Sequence, residues 1–337
     1  MPSSWRLSSL VPDGQNPWLP QPAPKGFETL VDSLGWPSIH AWSEHWHVKG
    51  GLLVARDAWP VPVDDSWVAH LALPFLSRIE QALDSACPTL LGVSALPGCG
   101  KTTLCSWAKH ASDQLGWRVE HLSLDDFYWP AQALEQSMAG NPWQVARALP
   151  GSHDLKTMDN ALRGWRQTGR ISAPRFDKSL RQGRGDRVGS TTSEADVVLL
   201  EGWFLGVTAQ DSPPQADDQV LSEGEQTWRP KAIHALSQYT PIWEQLDDLW
   251  HLRAIRGDAS STWKEQQLVT LKNQSGVDFS RRDLSDFNRM VQTALPMSWM
   301  QELDQANVVV DLNNTRGVEK IHRRETQLSA SSASATG

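Results

Sequence analysis

The feature that most constrains the fold is the stretch TLLGVSALPGCGKTTL at residues 89–104. Short apolar residues come first, followed by a loop of small residues and then by Lys101 with two threonines at the start of a helical pattern. A strand, a glycine-rich turn and a helix in this order can bind a phosphate chain, because loop N–H groups and the positive helix N-terminus surround the anion. We therefore predict a phosphate-binding loop here.

The loop departs from the full G-x-x-x-x-G-K-[ST] pattern at one position, where Ala95 stands in place of the first glycine. Alanine is acceptable there if its φ stays negative. A chance GKT at an ordinary helix start is the alternative, and the preceding strand and following helix argue against it. The predicted nucleotide contacts are Gly98, Cys99, Gly100, Lys101, Thr102 and Thr103.

Alternating strand and helix patterns predict an α/β fold with a doubly wound, mostly parallel sheet. The predicted strands lie at residues 89–95, 117–124, 195–203, 249–252 and 307–312. Helical spacing of apolar residues predicts helices at 73–86, from Lys101 to a stop at Gly116, from the N-cap Asp154 onwards, and at 283–295.

Composition along the chain predicts three regions. Residues 1–72 are rich in Pro, Trp and Gly and are interpreted as an N-terminal extension of loops and short helices. Residues 73–324 form the main α/β domain, with a mobile loop at 209–226 and a helical lid between 260 and 303. Residues 325–337 are a low-complexity sequence, predicted to be a disordered tail.

Charge and apolar content exclude several classes of partner. The net charge is −8 with a pI of about 5.7, so there is no basic surface of the kind that binds nucleic acid. No apolar run approaches the roughly 20 residues that span a bilayer, which argues against a membrane partner. Cys87, Cys99 and Cys105 match no metal spacing and fit a reducing, cytoplasmic compartment. Protein partners are not indicated.

Acidic residues follow two of the predicted strands. Asp125 and Asp126 end the second strand and Glu201 ends VVLL, so all three should converge with Lys101 at the carboxyl edge of the sheet. Thr102 and Glu201 are the predicted Mg²⁺ ligands, and Asp125 is the predicted general base for a substrate hydroxyl. A helix cap or turn would explain one of the two aspartates, and the role of Asp126 stays open.

A basic segment, PRFDKSLRQGRGDR at residues 174–187, contains four arginines and Lys178. Glycines at 183 and 185 predict a flexible loop rather than a helix face. Such a loop beside a phosphate site would act as a closing lid that supplies cations to the transition state, with Arg187 as a catalytic residue. A solvated basic loop without function is the alternative.

Five motifs in order resemble the P-loop small-molecule kinases of the phosphoribulokinase and uridine kinase superfamily, most closely the plant and cyanobacterial type of D-glycerate 3-kinase. They are GCGKTT, SLDDFY, RALPGSHD, PRFDKS…GRGDR and VVLLEGWFLG. Ala148 and Ser152 replace a glycine and a threonine of the family pattern. TWKEQQ, with Trp263, Gln266 and Gln267, resembles the W-R-x-Q-Q lid helix, but Lys264 replaces an arginine and lysine cannot make a bidentate phosphate contact.

The resemblance implies MgATP-dependent phosphorylation of D-glycerate to 3-phosphoglycerate, a step of photorespiratory carbon salvage. It places the base at Asp125 and implies an acceptor side lined by Tyr128, Arg147, His153, Asp154 and Lys178. Asp126 is a further predicted substrate contact. A small carboxylate substrate would independently require cations near the base, a need that Arg147 and Lys178 meet.

Three alternatives remain open. The first is a kinase for another small acceptor, such as a nucleoside, pantothenate or a sugar acid. The second is a nucleotide-switched regulator, against which the chain offers no N-K-x-D guanine-reading motif. The third is an ATP-binding module without catalysis, which the presence of Lys101, Asp125 and Glu201 disfavours.

Overall fold

A computed structural model describes residues 19–49, 65–210, 220–255, 263 and 281–324. The predicted tail at 325–337 and residues 211–219 of the predicted mobile loop at 209–226 lie outside the described residues, as do Lys264, Gln266 and Gln267 of the predicted lid helix.

Among the described residues, the first elements are α1 (Phe27–Ser33) and α2 (Ile39–Val48), and after residue 64 come a helical turn (Asp65–Trp67), a π-helical turn (Val68–Ala72) and α3 (Leu73–Leu83). The central elements are β1 (Thr89–Ala95), α4 (Lys101–Gln114), β2 (Val119–Ser123), a 3₁₀ turn (Leu124–Phe127), α5 (Ala131–Ser137), α6 (Leu155–Thr168), β3 (Arg170–Asp177), β4 (Asp186–Glu194) and β5 (Val197–Gly202). The remaining elements in the described residues are α7 (Glu223–Ser237), α8 (Thr240–Trp243), β6 (Asp248–Ala254), α9 (Arg281–Thr293), α10 (Met297–Gln301), β7 (Val308–Leu312) and β8 (Val318–Arg323).

In the described part of the chain, the main sheet has six strands in the order β2-β5-β1-β6-β7-β8. Every neighbouring pair is parallel except β7 and β8, which are antiparallel. The predicted α/β fold with a mostly parallel sheet is confirmed. Strands β1, β5 and β7 are buried along their whole length, because helices cover both faces of a parallel sheet and such strands consist of continuous apolar residues.

The N-terminal residues pack onto the same core as the sheet. Trp42 and Trp46 of α2 are fully buried, and their indole N–H groups both donate to Ser77 Oγ of α3, each over 2.8 Å. The helical run from residue 65 to residue 83 passes without a break through the predicted boundary at residue 72. In the described part of the N-terminal region, the layer is thus joined to the main domain by buried contacts.

A second contact ties the start of the described chain to its last strand. Lys25 forms a β-bridge with Lys320, and the backbone N–H of Ile321 donates to Lys25 O over 2.8 Å. A Cβ added to Gly26, which has a φ of 84°, would lie 2.0 Å from Ile321 O, so the two segments meet at backbone distance. This contact lies beside the sheet edge that β8 forms.

Three elements differ from the sequence-based expectation. The basic segment is not simply a flexible loop, because β3 and β4 form an antiparallel hairpin whose turn has positive φ at Arg181, Gln182, Gly183 and Gly185. Helix α7 begins at Glu223, inside the predicted mobile loop, because Ser222 and Glu225 form a capping box. Strand β8 was not predicted either, since its lysine and histidine interrupt the apolar pattern.

Within the described residues, every helix is too short or too polar to cross a lipid bilayer.

Candidate functional site

The glycine loop between β1 and α4 has the backbone that a phosphate cradle needs. Gly98 and Gly100 have φ values of 87° and 90°, which L side chains rarely adopt, and Lys101 starts α4 directly after Gly100. Ala95 is the last residue of β1, so it has an extended conformation that alanine accepts. The absent first glycine is therefore compatible with the loop, and the helix N-terminus lies at its end.

Glu201 lies beside the residues that open α4. Its Oε1 accepts a hydrogen bond from Thr102 Oγ1 over 2.9 Å, and Lys101 Nζ is 3.8 Å from Oε2. The carboxylate is buried, and Oε2 has no hydrogen-bond partner among the described residues. A buried carboxylate oxygen that lacks a donor is suited to an additional cation or its bound water.

These residues fit a Mg²⁺ ion that reaches the protein together with nucleotide phosphates. Such sites use one or two protein oxygens and fill the remaining positions with phosphate and water. The described part of the chain has no group of three His, Cys, Asp or Glu side chains that would hold a metal by itself. Thr102 and Glu201 would supply the protein's share, as the sequence predicts.

Strand register brings Asp125 to the same edge of the sheet. Ser123, the last residue of β2, pairs with Glu201 of β5, which in turn pairs with Val93 of β1. Asp125 follows two residues after Ser123, in the 3₁₀ turn. The side chains of Lys101, Glu201 and Asp125 therefore come from three adjacent strand ends.

Asp125 forms an ion pair with Lys178, whose ammonium group contacts Asp125 Oδ2. Burial opposes ionisation of the carboxyl, but the charge of Lys178 and hydrogen bonds from Lys178 and Tyr128 outweigh it and hold the pKa of Asp125 well below its usual range. Despite its own desolvation, Lys178 has a raised pKa because Asp125 attracts the proton. The carboxylate is thus ionised at neutral pH, as a proton acceptor must be.

Asp126 has different partners from its neighbour. Its Oδ2 accepts from the backbone N–H of Ser123 over 3.0 Å, while Ser123 Oγ accepts from the N–H of Asp125 over 3.3 Å. This reciprocal pair caps the 3₁₀ turn. Arg175 Nη1 lies 3.7 Å from the same carboxylate. The contacts of Asp126 explain it as a cap, and its substrate role stays a prediction.

Asp154 and Arg187 form a pair that braces the segment after β2. Asp154 caps α6, as predicted, by accepting from Thr157 N over 3.0 Å and from Thr157 Oγ1 over 2.6 Å. Arg187 donates to Asp154 Oδ2 over 3.2 Å and to Tyr128 O over 2.8 Å. These bonds hold both side chains in place without a ligand, and the catalytic role of Arg187 stays a prediction.

The other basic residues of the hairpin turn have partners away from Asp125. Arg181 and Arg184 both pair with Glu135 of α5. Arg147 donates to the backbone carbonyls of Gly183 and Arg184 over 2.6 and 3.0 Å, so it holds the hairpin turn in place. Lys178 is the hairpin cation that contacts the predicted base.

His153 is buried next to this ion pair. Its ring stacks on Tyr128 with centroids 4.5 Å apart, and its Nδ1 lies 2.7 Å from the hydroxyl of Tyr239. Burial lowers the pKa of His153 to about 3, more than the attraction of Asp125 raises it, so the imidazole is neutral at pH 7.

Sequence reasoning missed two residues of this site, Tyr239 and Arg316. Arg316 lies in the β7–β8 loop, where its Nε donates to Gly98 O over 3.2 Å and its guanidinium lies 5.2 Å from the ring of the buried Trp263. The loop NNTRG follows the carboxyl end of a parallel strand, and that position could have identified Arg316. Tyr239 carries no comparable signal.

Cys99 lies within the phosphate loop but is fully buried. Burial raises the pKa of its thiol to about 12, with a smaller opposing effect of Lys101 and Arg316. Since the thiolate is the reactive form, this cysteine is an unreactive small residue at neutral pH.

Comparisons with known proteins agree with this geometry. The chain is 29% identical over 218 residues to the chloroplastic D-glycerate 3-kinase of Arabidopsis thaliana, a match that covers 60% of this chain and 46% of that relative. It is 29% identical over 216 residues to the uncharacterized kinase mug58 of Schizosaccharomyces pombe, covering 59% of this chain and 77% of the relative. The D-glycerate 3-kinase structure from Cryptococcus neoformans superposes with a TM-score of 0.59 at 21% identity, covering 81% of this chain and 99% of that one.

The chain has the fold of a P-loop kinase. No known family profile matches it, and the match spans about half the length of the plant relative. The resemblance to P-loop small-molecule kinases that the motifs indicated is nevertheless confirmed by both kinds of comparison.

Proposed function

We propose that this protein is a kinase that transfers the γ-phosphoryl group of ATP to a hydroxyl of a small hydroxy acid, with D-glycerate as the acceptor and 3-phosphoglycerate as the product. One observation carries the proposal: the phosphate loop with Lys101, Thr102 and Glu201 shares a sheet edge with the Asp125–Lys178 pair. The glycerate kinase relatives support this choice of acceptor.

The chemistry assigns a role to each of these side chains. The acceptor oxygen attacks the γ-phosphorus while the bond to the β–γ bridging oxygen breaks, so that ADP leaves, and the hydroxyl proton passes to Asp125. Lys101 neutralises charge on the transferred group from the loop side. Thr102 and Glu201 would hold Mg²⁺, which supplies further positive charge to the phosphates when it is bound.

An acidic acceptor fits the charges on the acceptor side. Lys178 and Arg147 both lie near the turn of the hairpin, and His153 adds a neutral polar group beside Asp125. A small carboxylate placed here would meet cations rather than an apolar pocket. A kinase for another small acceptor is the second possibility that the same geometry supports, since the phosphate side of the site would be unchanged.

The proposal also covers the cellular location and the metabolic role of the protein. The cysteines that the structure describes, Cys87, Cys99 and Cys105, are all unpaired, which is compatible with the reducing cytoplasm that we propose as the location. The photorespiratory role implied by the resemblance is retained as a hypothesis that depends on glycerate as the acceptor.

The test is a coupled assay of ADP release with MgATP and a panel of acceptors that includes D-glycerate, nucleosides, pantothenate and sugar acids. We expect turnover with D-glycerate and a loss of at least about 10²-fold in Lys101→Ala, because a transition-state cation is removed. Lys109→Ala is the matched control, since Lys109 is on the same helix and pairs with Asp113 at the surface. No turnover with any acceptor, but hydrolysis stimulated by a protein partner, would indicate the regulator instead.

A further inference from the structure

The hydroxyl of Tyr239 lies where its hydrogen bond can determine which ring nitrogen of His153 carries the proton. Tyr239 is fully buried in the turn between α7 and α8, and its oxygen accepts a hydrogen bond from the backbone N–H of Gly151 over 3.0 Å. This amide can only donate, so the phenolic proton is directed to another partner.

The acceptor for that proton is His153 Nδ1, at 2.7 Å from the phenolic oxygen. Ser152 Oγ also lies near Nδ1, but at 3.4 Å, and its own proton goes to Leu149 O over 2.6 Å. A nitrogen that accepts from a phenol at such a short distance cannot itself bear hydrogen. The single proton of the neutral imidazole must therefore be on Nε2.

Nε2 is the polar atom that the protein leaves without a partner. It is buried and has no hydrogen-bond partner among the described residues, although the ring stacks on Tyr128 and makes an edge contact with Phe204. Asp125 and Lys178 are the charges that act on this ring. A buried, rigidly held N–H beside the base and without a partner points to a ligand atom with a lone pair.

We propose that Tyr239 is a positioning residue that holds His153 in its Nε2–H form, so that the acceptor site presents a fixed hydrogen-bond donor. The identity of the acceptor in this inference rests on the proposed function. The position of the proton on His153 does not depend on that function. The site then favours an acceptor that offers a carboxylate or hydroxyl oxygen at this point and rejects one that offers an N–H, because two donors would face each other.

The first test reads the proton directly. In protein labelled with ¹⁵N-histidine, long-range ¹H–¹⁵N spectra distinguish a protonated ring nitrogen from an unprotonated one, and the signals of His153 are those missing in His153→Gln. We expect Nε2 to be protonated in the wild type and the proton to move at least partly to Nδ1 in Tyr239→Phe. A wild-type spectrum with the proton on Nδ1, or an unchanged spectrum in Tyr239→Phe, overturns the proposal.

A packing control separates this role from a structural one. Trp243 lies with its ring centroid 5.4 Å from that of Tyr239, and its indole N–H donates to Val207 O rather than to the histidine. Trp243→Phe therefore disturbs the packing around Tyr239 without touching the hydrogen bond. Its His153 signals should keep the wild-type proton position, and a shift as large as in Tyr239→Phe would count against the proposal.

The second test uses the acceptor kinetics. We expect Tyr239→Phe to raise the KM for the acceptor about tenfold and to leave the KM for ATP unchanged, because one hydrogen bond to the acceptor is lost or inverted. His153→Gln, whose amide nitrogen stands where Nε2 was, should keep more acceptor affinity than His153→Asn, whose amide stands where Nδ1 was. Adding Tyr239→Phe to His153→Gln should then have no further effect on KM.

The two levels of failure can be told apart. If no acceptor in the panel is turned over, the proposed function fails, while the histidine spectra still decide the proton position. If D-glycerate is turned over but Tyr239→Phe changes neither the spectrum nor the KM, the positioning role of Tyr239 fails and the kinase proposal stands. Should Tyr239→Phe not fold, the wild-type spectrum together with the His153→Gln and His153→Asn pair decides whether Nε2 carries the proton and donates to the acceptor.

Discussion

Two adjacent aspartates, Asp125 and Asp126, show how a residue's partners separate roles that the sequence leaves equivalent. One carboxylate pairs with Lys178 beside the phosphate loop, and the other turns back to the N–H of Ser123. Asparagine is similar in shape to aspartate but cannot take up a proton, so the same substitution at both positions tests the difference directly.

Asp125→Asn should lower kcat by about 10²- to 10⁴-fold, because the acceptor hydroxyl loses its base. Asp126→Asn should stay near the wild-type rate, since an amide oxygen can still accept from Ser123 N, whereas Asp126→Ala should cost about 1 kcal/mol of unfolding free energy through the lost cap. Steady-state kinetics measure kcat of the asparagine variants, and urea unfolding measures the stability of Asp126→Ala. Equal losses of kcat in the two asparagine variants would show that Asp126 shares the chemistry.

At the residue scale, sequence motifs predicted those site residues that lie close together in the sequence or directly after a predicted strand. Lys101 and Thr102 stand in one short pattern, and Asp125 and Glu201 could be placed because parallel strand ends meet. Arg316 and Tyr239 could not be found in this way, because their roles depend on loops that approach the site from other parts of the fold. Sequence also could not show that Arg187 would be engaged by Tyr128 O and Asp154.

At the scale of elements, the β3–β4 hairpin is the part that carries Lys178 to the site. Phe176, near the end of β3, packs against Tyr128 with ring centroids 5.0 Å apart. Gly185, at a φ of 80°, is close to Phe176, and an added Cβ would lie 2.2 Å from its ring. Gly183, at a φ of 85°, has nothing within 4 Å of that position.

Gly185→Ala and Gly183→Ala should therefore both lose roughly 1–2 kcal/mol of stability, because alanine is strained at a positive φ. Only the methyl group of Gly185→Ala also clashes with Phe176. We expect Gly185→Ala to be less stable by about a further 1–3 kcal/mol, and to raise the KM for the acceptor because Phe176 must move against Tyr128. Thermal unfolding and acceptor kinetics test the pair. Indistinguishable variants would mean that the turn does not fix the acceptor side.

A second connection between elements is the buried carboxylate of Glu225. Arg289 of α9 donates to both of its oxygens over 2.6 Å, and Trp143 donates to Oε1 over 3.0 Å. Hydrogen bonds from Arg289 lower the pKa of Glu225 to about 2, against an ordinary value of 4.5, even though burial opposes the shift. The carboxylate thus links α7, α9 and the loop after α5.

This shift makes part of the stability dependent on pH. A depressed native pKa stabilises the fold above the unfolded value near 4.5, and that stabilisation is lost as the pH falls from there through about 2. At about 1.4 kcal/mol per pKa unit, it amounts to about 3 kcal/mol. We expect urea unfolding to show that the difference in unfolding free energy between the wild type and Glu225→Gln becomes smaller from pH 7 to pH 3. Glu223 is exposed, and Glu223→Gln should have the same unfolding free energy as the wild type at each pH. A gap that is constant with pH would contradict this assignment.

Elements were predictable where one physical pattern dominated. Strands β1, β5 and β7 consist of unbroken apolar residues, and α4 and α6 have clear starts at Lys101 and after Asp154. The hairpin was missed because its outer strand β4 is polar and largely exposed, and because its glycines suggested flexibility rather than a turn. Tertiary contacts, not local preference, hold those strands in place.

At the scale of the whole molecule, the tryptophan-rich start of the chain is part of the cooperative core in its described residues. Ser77 Oγ accepts from the indole N–H groups of both Trp42 and Trp46 and donates to Leu73 O. One hydroxyl thus serves two buried donors from another helix. Composition alone suggested a separate extension, because it does not show which distant side chains accept hydrogen bonds from these indole N–H groups.

Ser77→Ala should destabilise the protein by about 2–4 kcal/mol, since two buried donors lose their shared acceptor. Ser33→Ala, which removes a local bond from Ser33 Oγ to Leu30 O, is the matched control and should cost much less. Because the two layers share one core, we expect a single transition in which tryptophan fluorescence and circular dichroism coincide. Two separate transitions would show that the N-terminal layer unfolds independently.

The bridge between Lys25 and Lys320 has a consequence for biosynthesis. A ribosome releases the first of these residues long before the second, so the early segment has no backbone partner until the residues between them have been translated. Folding of this corner is therefore expected only after residue 320 has left the ribosome, and a chain stalled before residue 320 should expose the segment around Gly26 to proteases and chaperones.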